Sequence, residues 1–261
     1  MPKDNSRTTP PTGRDALRQR QQAAATTDRR VTLAIRTAWI AGLAVIALLI
    51  GVTTWSIVGA RSGNTAGVVA ADGLVAPKPA TDSGAVLIGK PEAKVTVTVY
   101  LDFMCPYCGQ FERANGDALA AAIDNGTAKL EVHPMAFLDD LSSGTKYSTR
   151  AANAFAAVAN QDARTGLAFS QLLFAQQPAE NSAGLTDSTI ADLASQAGAP
   201  ADVVASFAKQ TYQPWVAKIT QQAFDSGVTG TPTVKINGQT FTGDLYTAGP
   251  LADAITAAAN G

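Results

Sequence analysis

Cys105 and Cys108 are the only two thiols in this chain of 261 residues, and they lie three positions apart in the stretch DFMCPYCGQFE. Two sulfurs at this spacing can be half of a metal site, a redox-active pair or buried packing residues. A structural zinc ion needs about four ligands, and the chain has a single histidine, His133. We interpret His133 as an ordinary side chain at the end of a strand rather than as a catalytic base. A metal site within this chain is therefore not expected.

The residues around the two cysteines favour redox chemistry if the pair lies at the start of a helix. There, unpaired backbone N–H groups and the positive end of the helix dipole stabilise a thiolate and lower the pKa of Cys105. Cys108 would lie one turn further on the same face, pointing inward, where its sulfur can attack or resolve a mixed disulfide. Pro106 suits an early helical position because its missing N–H would have no partner there. Tyr107 has no such local role, and we assign it to tuning of the pair or to substrate contact.

Secondary-structure patterns place the pair at the junction of a strand and a helix. The run KVTVTVYLDF, over 94–103, alternates and is rich in β-branched and aromatic residues, which predicts a strand that leads directly into the cysteines. From Pro106 onward, apolar residues recur every three or four positions until Asn125-Gly126, which predicts a helix. A second strand is predicted over 129–134.

The rest of the domain divides into a helical block and a C-terminal β-β-α unit. Almost every window of 142–226 is helical, and breakers separate five helices, which need a common core and so predict an inserted subdomain. Strand signals return after Thr231-Pro232, on both sides of an Asn237-Gly238 turn, and a last amphipathic helix is predicted over 248–259. The order β-α-β, helices, β-β-α predicts an α/β, thioredoxin-like fold with an inserted helical subdomain.

The N-terminal part of the chain carries the signals of a membrane anchor. Residues 1–36 hold eight bases and three acids and have the composition of a disordered cytoplasmic tail. Residues 37–60 form an uncharged, mostly apolar run that is long enough to cross a bilayer as a single transmembrane helix. Because the basic flank stays on the cytoplasmic side, everything after the helix is expected to be extracytoplasmic. A cleaved signal peptide is the alternative interpretation.

The compartment bears directly on the cysteines. Outside the cytoplasm free cysteines tend to be oxidised or paired, and these two have only each other. Residues 61–84 are rich in Gly, Ala, Pro and Ser and predict a flexible linker, so the folded domain is expected over 85–261. With 12 bases and 18 acids, residues 37–261 are acidic, which argues against a nucleic-acid partner. There is no nucleotide-binding loop, and no cofactor is expected.

Two motifs in the sequence resemble those of a known family. DFMCPYCGQFE after a hydrophobic strand, and GTPTVKING beyond the helical block, resemble the DsbA-type thiol:disulfide oxidoreductases, in particular their membrane-anchored actinobacterial branch. The resemblance covers about residues 85–260 and implies the thioredoxin-like fold. It also implies that Cys105 is the attacking, substrate-linked cysteine and that Cys108 is the resolving one.

Further residues receive roles from the same resemblance. Thr231 is expected to precede a cis Pro232 packed against the cysteines, where the backbone of Thr231 would dock an extended substrate. Glu112 matches an acidic residue of the active-site helix with a suggested role in proton handling, and a solvated surface acid is the alternative. Many thioredoxin-like enzymes bury an acid six positions before the first cysteine, where this chain has Val99. The nearest acid to the pair is Asp102.

These observations predict an extracytoplasmic enzyme that introduces disulfides into exported proteins with free cysteines. The resemblance implies a membrane partner, of DsbB or vitamin K epoxide reductase type, that reoxidises it. A reductase or isomerase on the same scaffold is one alternative, and a non-catalytic thioredoxin-like chaperone or binding module is another. The identity of the two residues between the cysteines does not decide the direction of electron flow.

Overall fold

A five-stranded mixed sheet forms the centre of the computed structural model, which describes residues 67–69 and 73–261. Its strands are β3 (Val86–Ile88), β4 (Val95–Leu101), β5 (Ala128–Pro134), β6 (Thr233–Ile236) and β7 (Gln239–Thr240), in the order β3-β5-β4-β6-β7. β4 and β5 run parallel, whereas β3 pairs with β5, β6 with β4 and β7 with β6 in antiparallel fashion. Two further strands, β1 (Val68–Val69) and β2 (Val75–Ala76), pair with each other.

The α-helices of the described residues follow the predicted order. They are α1 (Pro106–Asp124), α2 (Tyr147–Gln161), α3 (Ala163–Ala175), α4 (Asp187–Gln196), α5 (Ala201–Ala205), α6 (Gln213–Asp225) and α7 (Pro250–Asn260). Single turns of 3₁₀ helix occur at Asp139–Leu141 and Ser206–Lys209. The succession β4-α1-β5, then α2 to α6, then β6-β7-α7 confirms the predicted thioredoxin-like fold with an inserted helical subdomain.

Strand β4 is covered on both faces and carries the active-site segment at its carboxyl end. Side chains alternate between the two faces of a strand. One face of β4 packs into the main core together with α1 and α7, through Val95, Val97, Val99 and Leu101. On the other face, Tyr100 lies in a smaller cluster with Ala223 of α6. A strand held from both sides gives the cysteines that follow it a rigid base.

Part of the segment for which the sequence predicts a flexible linker is folded onto the domain. Val75 and Ala76 of β2 pack against the main core, and Ala80 forms a bridge with Val86. The backbone N–H of Lys78 donates a hydrogen bond to the side-chain oxygen of Asn160, at 2.9 Å. The folded body therefore extends to the N-terminal side of residue 85, because apolar residues within this Gly- and Pro-rich segment find partners on the domain.

The predicted membrane anchor is not part of the residues that the structure describes. Within 67–69 and 73–261, the structure contains no helix with the length and apolar character that a membrane span requires. The predicted tail at 1–36 and the predicted transmembrane helix at 37–60 both lie outside these described residues.

Candidate active site

The two cysteines lie where β4 passes into α1. A tight turn links the two elements and is closed by the backbone N–H of Cys105, which donates to the carbonyl of Asp102 at 3.0 Å. Cys105 is the N-cap residue of α1, and Pro106 is its first helical residue, as the sequence predicts. The sulfur of Cys105 therefore lies at the positive end of the helix dipole, where a thiolate is favoured.

Both cysteines are free thiols, and their surroundings differ. Cys105 is 5% exposed and Cys108 is fully buried. The pKa of Cys105 is lowered to about 6, mainly by a hydrogen bond with the Cys108 side chain. Hydrogen bonds with the Thr231 side chain and with the backbone N–H groups of Cys108 and Tyr107 lower it as well, whereas burial of the thiol raises it. Burial, followed by the hydrogen bond and charge of Cys105, raises the pKa of Cys108 well above its usual value. The pair is therefore chemically unequal.

The cis-proline segment lies directly beside Cys105. The Thr231–Pro232 peptide bond is cis, as the resemblance implies. The Cys105 thiol donates a hydrogen bond to the carbonyl of Thr231 at 3.2 Å. This contact joins residues that are 126 positions apart, and it arises because β6, which begins at Thr233, pairs with β4 immediately before the active-site turn.

A buried carboxyl group lies beneath the active-site turn. Asp102 is fully buried, and its oxygens accept hydrogen bonds from the N–H of Met104 at 2.8 Å, the N–H of Leu138 at 2.9 Å and the Ser148 hydroxyl at 2.7 Å. Burial, with a smaller contribution from the charge of Cys105, raises the pKa of Asp102 to about 6 in spite of these three hydrogen bonds. Asp102 thus ties together the active-site turn, the segment after β5 and the first helix of the inserted subdomain.

The inserted subdomain supplies two active-site contacts that sequence reasoning missed. One is Ser148 of α2, which binds Asp102. The other is Gln177, just after α3, whose side-chain amide donates to the carbonyls of Cys105 and Phe103. A serine and a glutamine in helical sequence carry no local signal of such a role.

Exposed aromatic residues form one side of the site. The rings of Tyr107 and Tyr246, which are 55% and 46% exposed, contact each other with their centroids 5.9 Å apart. The loop that carries Tyr246 is fixed to α1, because the Asn115 side chain donates to the carbonyl of Leu245 at 2.8 Å. Sequence reasoning named Tyr107 but missed Tyr246, which belongs to the loop between β7 and α7.

Two further candidate residues, Glu112 and His133, contact neighbours other than the cysteines. Glu112 lies one helical turn beyond Cys108 in α1, and its carboxyl group occupies the space that a side chain at Gly116 would take. Burial raises its pKa to about 7, against a hydrogen bond with Gln171. His133 is buried in a stack on Tyr100 with 4.2 Å between the ring centroids, and burial lowers its pKa to about 4. It is thus neutral, in agreement with an ordinary strand-end side chain.

Two thiols of such unequal acidity can exchange a disulfide with another dithiol, because the more acidic one is both the better nucleophile at neutral pH and the better leaving group. The fold and the site together define a thioredoxin-like thiol:disulfide oxidoreductase. The chain belongs to a thioredoxin family: the family model described as Thioredoxin matches residues 81–250.

Solved structures of disulfide oxidoreductases share this fold. The reduced form of the disulfide bond oxidoreductase DsbG from Mycobacterium tuberculosis is 27% identical, with a TM-score of 0.57 over 70% of this chain and 98% of that one. Oxidised DsbA from M. tuberculosis is 28% identical, with a TM-score of 0.56 over 67% of this chain and 99% of that one. The chain is accordingly a DsbA-type protein, as the resemblance implies.

The curated relatives that match this chain carry the name of a protein kinase. Over 118 residues the chain is 36% identical to the serine/threonine-protein kinase PknE of M. tuberculosis. The match covers 44% of this chain and 21% of that protein, so the chain spans about a fifth of the length of the curated relatives it matches.

Proposed function

We propose that this chain is a membrane-anchored, extracytoplasmic enzyme that passes the Cys105–Cys108 disulfide to exported proteins with free cysteines. The observation that carries the proposal is the inequality of the two thiols, with the pKa of Cys105 lowered to about 6 and that of Cys108 raised. A stabilised thiolate favours the reduced enzyme, and a stable reduced form makes the disulfide a strong oxidant. The apolar run at 37–60 and its basic flank support the anchor and its orientation.

The reaction proceeds in two exchange steps. A substrate thiolate attacks the sulfur of Cys105, the Cys105–Cys108 bond breaks, and Cys108 leaves and takes up a proton, for which its raised pKa is suited. The second substrate thiolate then attacks the substrate sulfur of the mixed disulfide, and Cys105 leaves as a thiolate. The substrate has lost two electrons and two protons; the enzyme has gained both electrons and one proton, and the other proton goes to solvent.

The residues around the pair have proposed roles in binding and tuning. Thr231 and Pro232 form the docking ledge for an extended substrate. The protonated Cys105 thiol donates to the Thr231 carbonyl. Neither the thiolate nor the disulfide has this hydrogen, so in both of these forms the carbonyl is free for a substrate N–H. Pro106 tunes the acidity of Cys105 by starting the helix at whose N-terminus the sulfur lies. Glu112, one helical turn beyond Cys108, tunes the pair through its charge, which it gains or loses near neutral pH because its pKa is raised to about 7.

The aromatic pair Tyr107 and Tyr246 is expected to bind substrate beside the reacting sulfur. Replacement of Tyr246 by alanine should raise the KM for a peptide dithiol about twofold to thirteenfold, since an aromatic contact contributes about 0.5–1.5 kcal/mol. Little change is expected in kcat or in the thiolate pKa of Cys105. Steady-state oxidation of a fluorescent peptide dithiol measures KM and kcat, and the absorbance of the reduced protein at 240 nm against pH measures the thiolate pKa.

Phe224→Ala is the matched control for this experiment. Phe224 is also an exposed aromatic residue, at 48%, but its ring contacts Phe137, in a tilted arrangement, instead of Tyr107. An equal rise in KM in both variants would show that the effect does not come from the tyrosine pair.

The alternative functions differ in the direction of electron flow. The resemblance implies reoxidation by a membrane partner of DsbB or vitamin K epoxide reductase type, and a reductase or isomerase would instead need a source of electrons. Equilibrium of the full-length chain with glutathione redox buffers measures the potential of the Cys105–Cys108 pair. A value near about −120 mV is expected for an oxidase, whereas a value near about −270 mV would overturn the proposal in favour of a reductase.

A further inference from the structure

The side chain of Gln177 reaches from the inserted subdomain into the active-site turn. Its amide nitrogen donates a hydrogen bond of 2.7 Å to the carbonyl of Cys105 and one of 3.2 Å to the carbonyl of Phe103. The Cys105 carbonyl also accepts the backbone N–H of Gly109 at 3.2 Å, in the first turn of α1. The Gln177 side chain therefore binds both residues that flank Met104, and one of them, Cys105, is also the N-cap residue of α1.

A glycine in α1 makes room for this side chain. A β-carbon at Gly109 would lie 2.1 Å from the side-chain oxygen of Gln177 and 3.0 Å from its amide carbon. Glycine is a poor residue for the interior of a helix, where alanine is the best. The space that a side chain at position 109 would take is occupied by Gln177.

We propose that Gln177 is a positioning residue for Cys105, which holds the active-site turn in the conformation that favours the thiolate. The proposal deepens the proposed function and rests on the Cys105–Cys108 pair being the redox centre. Two carbonyl oxygens in the same turn as the sulfur carry partial negative charge, and the amide N–H groups of Gln177 offset that charge. With the turn fixed, the N–H groups of Tyr107 and Cys108 stay directed at the Cys105 sulfur, which they stabilise as a thiolate.

The first test is Gln177→Ala in the full-length chain. We expect the thiolate pKa of Cys105, read from the absorbance at 240 nm against pH, to rise, because the carbonyls lose their donor. The equilibrium constant for oxidation of glutathione should fall at least about fivefold, as expected for the loss of the hydrogen bond to the Cys105 carbonyl alone. Gln177→Met, which keeps the volume without the donor, should behave in the same way.

Gln176→Ala is the matched control, since Gln176 is the exposed neighbour on the same segment. An unchanged thiolate pKa in both Gln177 variants, or an equal change in Gln176→Ala, would overturn the proposal. The thiolate pKa is read on the reduced protein alone, so this outcome is separate from whether the pair proves to be oxidising or reducing.

The second test uses Gly109→Ala and asks whether the two positions depend on each other. In the native chain the added methyl group must displace Gln177, so this substitution should raise the thiolate pKa as Gln177→Ala does. In the Gln177→Ala background the space is free apart from the mobile end of Arg113, at 3.3 Å. There, Gly109→Ala should leave the pKa unchanged and stabilise the protein against urea, because alanine favours the helix. Additive effects of the two substitutions on the pKa would overturn the proposal.

Discussion

Replacement of Cys105 by serine should abolish dithiol oxidation and the formation of mixed disulfides, whereas replacement of Cys108 by serine should make mixed disulfides accumulate. Cys105 is the thiol that is ionised at neutral pH and lies beside the docking ledge formed by Thr231 and Pro232. Without Cys108 there is no internal thiol to release a substrate bound to Cys105. Mass spectrometry after incubation with a peptide thiol and its disulfide measures the covalent adduct in each variant.

Alkylation by iodoacetamide tests the same assignment through its pH dependence. Only the thiolate reacts, so the rate at Cys105 in Cys108→Ser should fall as the pH drops below the thiolate pKa. The native value is about 6, and a value near it is expected in this variant, because the serine hydroxyl at position 108 can still donate a hydrogen bond to the Cys105 sulfur. Cys108, fully buried and with a raised pKa, should react at least about 100-fold more slowly at pH 7 in Cys105→Ser.

Two results would contradict this assignment of roles. Equal alkylation rates at the two sulfurs at pH 7 would contradict their inequality, on which the proposed direction of electron flow rests. Undiminished function of Cys105→Ser in cells that lack the native protein would instead favour a non-catalytic chaperone or binding module.

Replacement of Asp102 should have the largest effect among the residues that do not exchange sulfur. Asp102→Ala removes the acceptor for Met104, Leu138 and Ser148, and leaves buried donors without a partner. A loss of about 3 kcal/mol in the free energy of unfolding is expected, since an unsatisfied buried donor costs about 1–3 kcal/mol. Urea unfolding of the full-length chain measures the loss.

Asp102→Asn separates the charge of Asp102 from its shape. The folded-state pKa of about 6 lies above the ordinary 3.8, so the stability that Asp102 contributes below about pH 4 is lost as the pH rises through 6. The asparagine variant does not lose it. Its stability relative to the native chain should therefore improve by up to about 3 kcal/mol between pH 4 and pH 7.5, at 1.36 kcal/mol for each pKa unit. Measurement on the disulfide form removes the titration of Cys105.

The charge of Asp102 also bears on the thiolate. A negative charge on Asp102 and a negative charge on Cys105 repel each other. Because Asp102→Asn removes one of the two charges, it should lower the thiolate pKa of Cys105 and make the disulfide more oxidising. Ser148→Ala is the control that keeps the carboxyl group and removes one donor. A thiolate pKa that moves in the same direction and by the same amount in both variants would show that geometry, not charge, is responsible.

Local patterns predicted most of the elements. The alternation that leads into Cys105 and the helical spacing after it correspond to β4 and α1, and the helical block corresponds to α2 through α6. The sequence does not predict the short strands β1, β2 and β3, because each has only two or three residues, too few for the two-residue alternation of a strand to be recognised. Their place in the fold depends on pairing partners distant in sequence, such as β5 for β3.

By itself the sequence determined the candidate redox pair, the strand and helix that hold it and the motif of the cis-proline segment, because spacing, periodicity and helix starts are local properties. Only the tertiary structure decided what surrounds the pair. Ser148 meets Asp102 across 46 positions and Gln177 meets Cys105 across 72, because the inserted helices pack beside the active-site turn. No local pattern encodes such contacts, because they depend on how distant segments of the chain pack together.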